Sequence, residues 1–121
     1  MASHHQPHEY DSKVLEFEYA KPGMIALESA FGLMVSSIPQ LSPEQVANLL
    51  AIAPRKLLGL PKATIEVGAE ASLTLFNTNA EVTCTPDFFR SKSKNTPLLG
   101  KKLKGKVLGI VNKGQLVSYE D

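Results

Sequence analysis

The spacing of apolar residues changes at Lys62, and that change constrains the fold more than any other feature of the chain. Before it, apolar residues recur at three- and four-residue steps; after it they alternate. A period near 3.6 is the mark of a helix with one buried face, and a period of two is the mark of a strand. Met24, Leu27, Phe31, Met34 and Ile38 share one such face, and Pro39 ends the run. The spacing predicts a helix over about 24–38. A second begins at Leu41-Ser42-Pro43-Glu44-Gln45, where Ser42 can cap, Pro43 suits the first helical position and Gln45 completes a capping box. That helix is expected over about 43–58, with Val46, Leu49, Leu50 and Ile52 as its buried stripe. Gly59 is its stop. Leu57, Leu58 and Leu60 are further core candidates.

Beyond Lys62, Thr64–Val67 and Ser72–Phe76 alternate, and Ala80–Thr85 is another strand candidate. Asn77-Thr78-Asn79 reads as a turn between strands. Leu103–Asn112 and Gln115–Ser118 flank Lys113-Gly114, a two-residue hairpin signal. The fold class is therefore α+β: a helical half over 1–60, then a small antiparallel β unit over 61–121.

Composition narrows the function classes. The 121 residues are 43% hydrophobic and 21% charged, which is ordinary globular material. No run approaches the length of a membrane-spanning helix, and no apolar stretch near Met1 resembles a secretory signal. Cys84 is the single cysteine, so a reducing cytoplasm is the expected setting. Charge is uneven: residues 90–121 carry seven Lys and one Arg against Glu120 and Asp121. A basic binding module through residues 90–113 follows as one reading. No aromatic residue lies between Phe89 and Tyr119 to stack a base, so the pattern argues against a nucleic acid partner and favours a solvated, lysine-guarded edge.

The most distinctive wording is Arg90–Val107, a basic, Pro-containing segment with no helical period, whose end alone reads as a strand. Loops of this length in a small domain usually perform a function or pack on something. Near the start, His4, His5 and His8 are candidate zinc donors, although a structural site wants four ligands. Glu28, beside the apolar face, reads as a polar-edge residue. Cys84 reads as a small strand hydrophobe, not a nucleophile.

Five passages, in order, resemble the C-terminal third of the dihydroorotases, members of the amidohydrolase superfamily. Ser3-His4-His5-Gln6-Pro7-His8 resembles the family's Thr-Asp-His-Ala-Pro-His. Ala20–Phe31 resembles Ala-Pro-Phe-Gly-Ile-x-Gly-Leu-Glu-Thr-Ala-Phe. Ala53–Leu60 resembles Asn-Pro-Ala-Lys-Ile-Leu-Gly-Leu, and Gly68–Phe76 resembles Gly-Ala-Asp-Ala-Asp-Leu-Val-Leu-Phe. The Arg90–Val107 loop completes the set.

The resemblance implies a fold and a chemistry. Residues 1–60 would be the last β/α unit of a TIM barrel, and 61–121 part of the flanking β-sandwich. Full-length members use zinc to generate a hydroxide that interconverts dihydroorotate and carbamoyl aspartate in pyrimidine biosynthesis. His4 falls at the family's catalytic and metal-binding Asp. His8 falls at the histidine that contacts the substrate carboxylate, and Pro22 and Gly23 at the substrate-contacting loop. One barrel strand cannot assemble a dinuclear site, so the expectation is a segment inactive alone, with His4 the only carried-over metal position. It would meet the missing barrel portion or self-associate over its uncovered helix face. A noncatalytic homologue that serves as a structural partner of aspartate carbamoyltransferase is the alternative.

Overall fold

The computed structural model describes residues 1–119; Glu120 and Asp121, the two acids of the basic stretch 90–121, lie outside the described residues. The chain opens with an extended arm and a 3-10 turn at Tyr10–Ser12, then forms α1 (Ala30–Ser37), α2 (Pro43–Ala47), a π-turn (Asn48–Ile52) and α3 (Ala53–Leu57). Three strands follow: β1 (Leu73–Thr83), β2 (Lys102–Asn112) and β3 (Gln115–Ser118), antiparallel in the order β1-β2-β3. The architecture is α+β. Among the described residues no helix is long and apolar enough to cross a membrane.

The sheet follows the period-two pattern with two departures. Lys113 and Gly114 form the two-residue hairpin at φ 49° and 73°, between the paired Asn112 and Gln115. The first departure is at Asn77-Thr78-Asn79, which is not a turn between strands. It is a bulge inside one long β1, because Asn77 pairs with Lys106 and Glu81 with Lys104. The local chemistry is still that of an Asx turn: Asn77 Oδ1 accepts from the N–H groups of Asn79 (2.9 Å) and Ala80 (3.3 Å). Ladder bonds on both sides carry the strand through it. The second departure is Thr64–Val67, which is not a strand. Ile65 is 87% exposed, and no strand among the described residues pairs with this segment.

α1 packs on β2, and glycine on each side sets the distance. Gly32 is buried where a Cβ would meet Leu103 Cβ at 3.1 Å. Gly105, at φ +95°, sits opposite, where a Cβ would meet Phe31 Cε1 at 3.0 Å and Val35 Cβ at 3.2 Å. Ser36 Oγ then accepts from the Lys104 N–H at 2.8 Å, tying helix to strand. Phe31 meets Phe76 edge to face, with ring centroids 5.2 Å apart.

The first helix is shorter than its apolar spacing predicts: it begins at Ala30, so Met24 and Leu27 are not on it. Leu27 is 63% exposed. Residues 21–26 are instead held non-helical against distant segments: Ile25 N–H donates to the Asn95 carbonyl, and the N–H groups of Ala26 and Leu27 donate to His5 Nδ1. The second helical stretch keeps its expected bounds, with the Ser42–Gln45 capping box fully formed. Ala53 N–H reaches back to the Asn48 carbonyl in a π-turn just before Pro54, which has no N–H to offer. Its stripe is only partly buried. Val46 is in the core, whereas Leu50, Ile52, Leu57, Leu58 and Leu60 are exposed.

Two apolar clusters hold the layers together. Ile25, Cys84, Phe89, Leu98 and Leu103 form one, closed by the 84–101 loop. Met34, Val35 and Val46 form the other, flanked by Phe31, Leu41, Leu49 and Phe76.

Candidate functional site

Three extended segments meet in a polar seam: residues 5–8, residues 21–27, and residues 93–95 of the basic loop. His8 is fixed at its ring and at both backbone groups. Its N–H donates to Asn95 Oδ1 (3.2 Å), and its carbonyl accepts from the Ser93 hydroxyl. Its ring Nε2 lies 2.9 Å from the Pro22 carbonyl. A carbonyl only accepts, so Nε2 carries the proton and Nδ1 is left uncommitted by these bonds.

Gly23 lies beside this pair and is held from two sides. Its carbonyl accepts from Asn95 Nδ2 (3.3 Å) and from the Lys13 ammonium (3.0 Å), which also reaches the Lys21 carbonyl. Its φ is +102°, and a Cβ there would stand 2.0 Å from Gln6 Oε1. The backbone conformation demands glycine, and a Cβ would also force the Gln6 side chain to move. A cleft of about 1190 Å³ opens beside the seam, bordered by His8, Lys13, Gly23, Ser93 and Asn95. The sequence-predicted His8, Pro22 and Gly23 are thus brought together. His4 is not among them: it is exposed, at φ 49°.

The histidines do not make a zinc site. His5 Nδ1 accepts from two backbone N–H groups, Ala26 at 3.0 Å and Leu27 at 3.2 Å, so its neutral ring carries the proton on Nε2. A metal ligand needs a free lone pair, and neither His5 nitrogen offers one in this arrangement. Among the described residues no three His, Cys, Asp or Glu side chains converge on one point. The donor set of the described residues does not fit the zinc that the family resemblance implies.

Two residues near the seam behave as the sequence suggests, with one addition and one departure. Glu28 lies at the edge of the apolar layer; its Oε1 accepts from the Ser91 N–H at 2.8 Å, while Oε2 is buried without a hydrogen-bond partner among the described residues. Cys84 is a buried apolar residue as read, 0% exposed, but it stands just past the end of β1 and not on a strand, and burial pushes its thiol above the usual range. Asn95, Lys13 and Gln6 are the site residues that sequence reasoning passed over. The one signal available for Asn95 is its place before Thr96-Pro97, in a loop with no helical or strand period. Only the folded seam shows what that loop holds.

Comparison with known proteins bears on the same segments. No family model matches the chain. Curated relatives do: dihydroorotase of Syntrophus aciditrophicus is 36% identical over 119 residues, covering 97% of this chain and 28% of the relative. Dihydroorotase of Acetivibrio thermocellus is 36% identical over 123 residues, 99% of this chain and 29% of its own length. The Clostridium acetobutylicum enzyme is 35% identical over 124 residues, 100% and 29%. The chain is dihydroorotase-like from end to end. This dihydroorotase-like sequence spans a little over a quarter of the length of the relatives it matches, consistent with the C-terminal part of such a protein.

Proposed function

We propose that this chain is the C-terminal segment of a dihydroorotase-like amidohydrolase and forms the substrate-side lip of its site, without turning substrate over alone. The single observation that carries the reading is the 2.9 Å bond from His8 Nε2 to the Pro22 carbonyl. It joins the two passages that the resemblance assigns to substrate contact. In this reading residues 1–60 derive from the last β/α unit of a barrel and 61–121 from the flanking sandwich. Uncommitted Nδ1 of His8 and the backbone at Gly23 face a small, anionic cyclic amide such as dihydroorotate. Cys84, single and buried, suits a reducing cytoplasm.

Inactivity alone rests on two supports. His4 occupies the family's Asp position and takes part in none of the seam bonds, and His5 Nδ1 is occupied while no three potential metal ligands converge among the described residues. The test is elemental zinc and dihydroorotate hydrolysis on the same tag-free sample. Neither zinc nor turnover is expected. Stoichiometric zinc with turnover would overturn the reading.

A second reading has its own support: His4 stands where catalysis wants a carboxylate, and an open apolar groove of about 690 Å³ runs between α2–α3 and β1. A noncatalytic homologue that lends structure to aspartate carbamoyltransferase would have both features. Co-sedimentation with that enzyme favours this alternative; its absence at micromolar concentrations sinks it.

A further inference from the structure

We infer that Asn95 is a positioning residue that holds His8 and Gly23 in register and fixes the ring tautomer that His8 presents to the cleft. The inference deepens the functional reading above and rests on it. A carboxamide offers two donor hydrogens and an oxygen with two lone pairs, and at Asn95 all are engaged. Oδ1 accepts from the His8 N–H (3.2 Å) and shares the single Ser93 hydroxyl proton with the His8 carbonyl. Nδ2 donates to the carbonyls of Gln6 (3.0 Å) and Gly23 (3.3 Å). The Asn95 backbone carbonyl accepts from Ile25 N–H at 3.0 Å. One residue therefore reaches both passages of the lip.

The chemistry at position 95 is specific. Aspartate has the same shape but sets an acceptor oxygen against the two carbonyls that Nδ2 now satisfies. Alanine leaves those carbonyls and the His8 N–H without this partner. Lys13 still grips Gly23 from the other side, so the loop loosens at Asn95 without being lost. What depends on Asn95 is the distance between the His8 ring and the Pro22 carbonyl. That distance decides whether the proton stays on Nε2 and the lone pair on Nδ1. The basic loop is thus an internal clip whose amide orients a ligand-facing imidazole.

The test is nitrogen-15 NMR of the His8 imidazole in the whole chain, at alkaline pH, with His8→Gln to assign it. The unmodified chain should show His8 in the Nε2–H form. Asn95→Ala and Asn95→Asp should show mixed tautomers and a displaced Gly23 amide, while the Lys113-Gly114 hairpin amides stay in place. Ser93→Ala should move His8 the same way by less, and it decides the matter if both Asn95 variants fail to fold. Folded Asn95 variants with His8 still wholly Nε2–H overturn the proposal. Dihydroorotate titrated into the same samples separates the two ideas. A response at His8 that weakens about tenfold in Asn95→Ala supports both. No response in the unmodified chain ends the functional reading, while the tautomers still judge Asn95.

Discussion

Two apolar regions of this chain meet opposite fates. Ile25, Phe89, Leu98 and Leu103 are closed over with Cys84, whereas Leu50, Ile52, Leu60 and Ile65 line an open groove facing β1. Hydropathy does not separate the two sets. What separates them is a polar lid: the 84–101 loop bonds to itself through Cys84, Gly100 and Lys101, and Lys94 reaches the Phe89 carbonyl. Asn95 then pins that loop to the N-terminal arm. No such segment crosses the groove among the described residues. Apolar spacing states which face needs a partner; backbone hydrogen bonding in a loop decides whether this chain provides one.

Paired truncations break or sharpen that contrast. Phe89 is 2% exposed and touches its neighbour Phe88 edge to face at 5.0 Å. Phe89→Ala should lower unfolding free energy by about 4 kcal/mol, from lost transfer energy and the void left behind. Ile65, on the groove wall, is 87% exposed, and Ile65→Ser should stay within about 0.5 kcal/mol. Urea melts of both variants check the pair. Equal effects would mean that the groove side is covered in solution, for example by a second copy of the chain.

The helix–strand contact beside the closed cluster gives the next largest effect. Gly105 combines a left-handed backbone with Phe31 and Val35 at 3.0–3.2 Å from the point where a methyl group would stand. Gly105→Ala should cost about 3 kcal/mol, backbone strain and overpacking together. A loss under about 1 kcal/mol, read by thermal melting, would show that α1 sits more loosely on β2 than the closed cluster requires.

How far the sequence foretold these regions depends on where each interaction partner lies along the chain. The Ser42–Gln45 box, the Lys113-Gly114 hairpin and the β2–β3 pair are written within a few residues, and local chemistry suffices for them. The start of α1 is not: Ile25, Ala26 and Leu27 give their N–H groups to Asn95 and His5, which lie about 70 and 20 residues away in the chain. The Asn77-Thr78-Asn79 bulge reads as a turn because the residues that carry β1 through it are on β2. Thr64–Val67 has the alternation of a strand and no neighbour to pair with. The site was legible in the same proportion. His8, Pro22 and Gly23 stand in passages picked out by motif, but Asn95 has no local signature of the bonds it makes.

A smaller effect tests how tightly the lid closes. Burial raises the Cys84 thiol, so the folded chain keeps its proton at a pH where the unfolded chain has lost it. The stability linked to this group is whole below the free-thiol value of about 8.5 and declines above it, until the folded thiol itself ionises. Melting temperatures taken across that window should fall more steeply for the unmodified chain than for Cys84→Ala. Parallel slopes would mean that water already reaches the thiol.

The smallest effect belongs to the wall of the open groove, and it isolates what holds that wall. Glu44 sits in the first turn of α2, where the Ser42 side chain, then its own backbone N–H, hold its carboxyl below the usual glutamate range. A carboxylate there also faces the positive end of the helix. The sign follows from the lowered value: the contribution is present above the ordinary glutamate range and is lost as pH falls through the folded one. Glu44→Gln should therefore melt slightly below the unmodified chain at neutral pH and together with it in acid. Because Glu44 is fully exposed, added salt should shrink the neutral-pH gap. A gap that persists in acid would assign the loss to the glutamine itself rather than to charge, and α2 would then stand on its capping box alone.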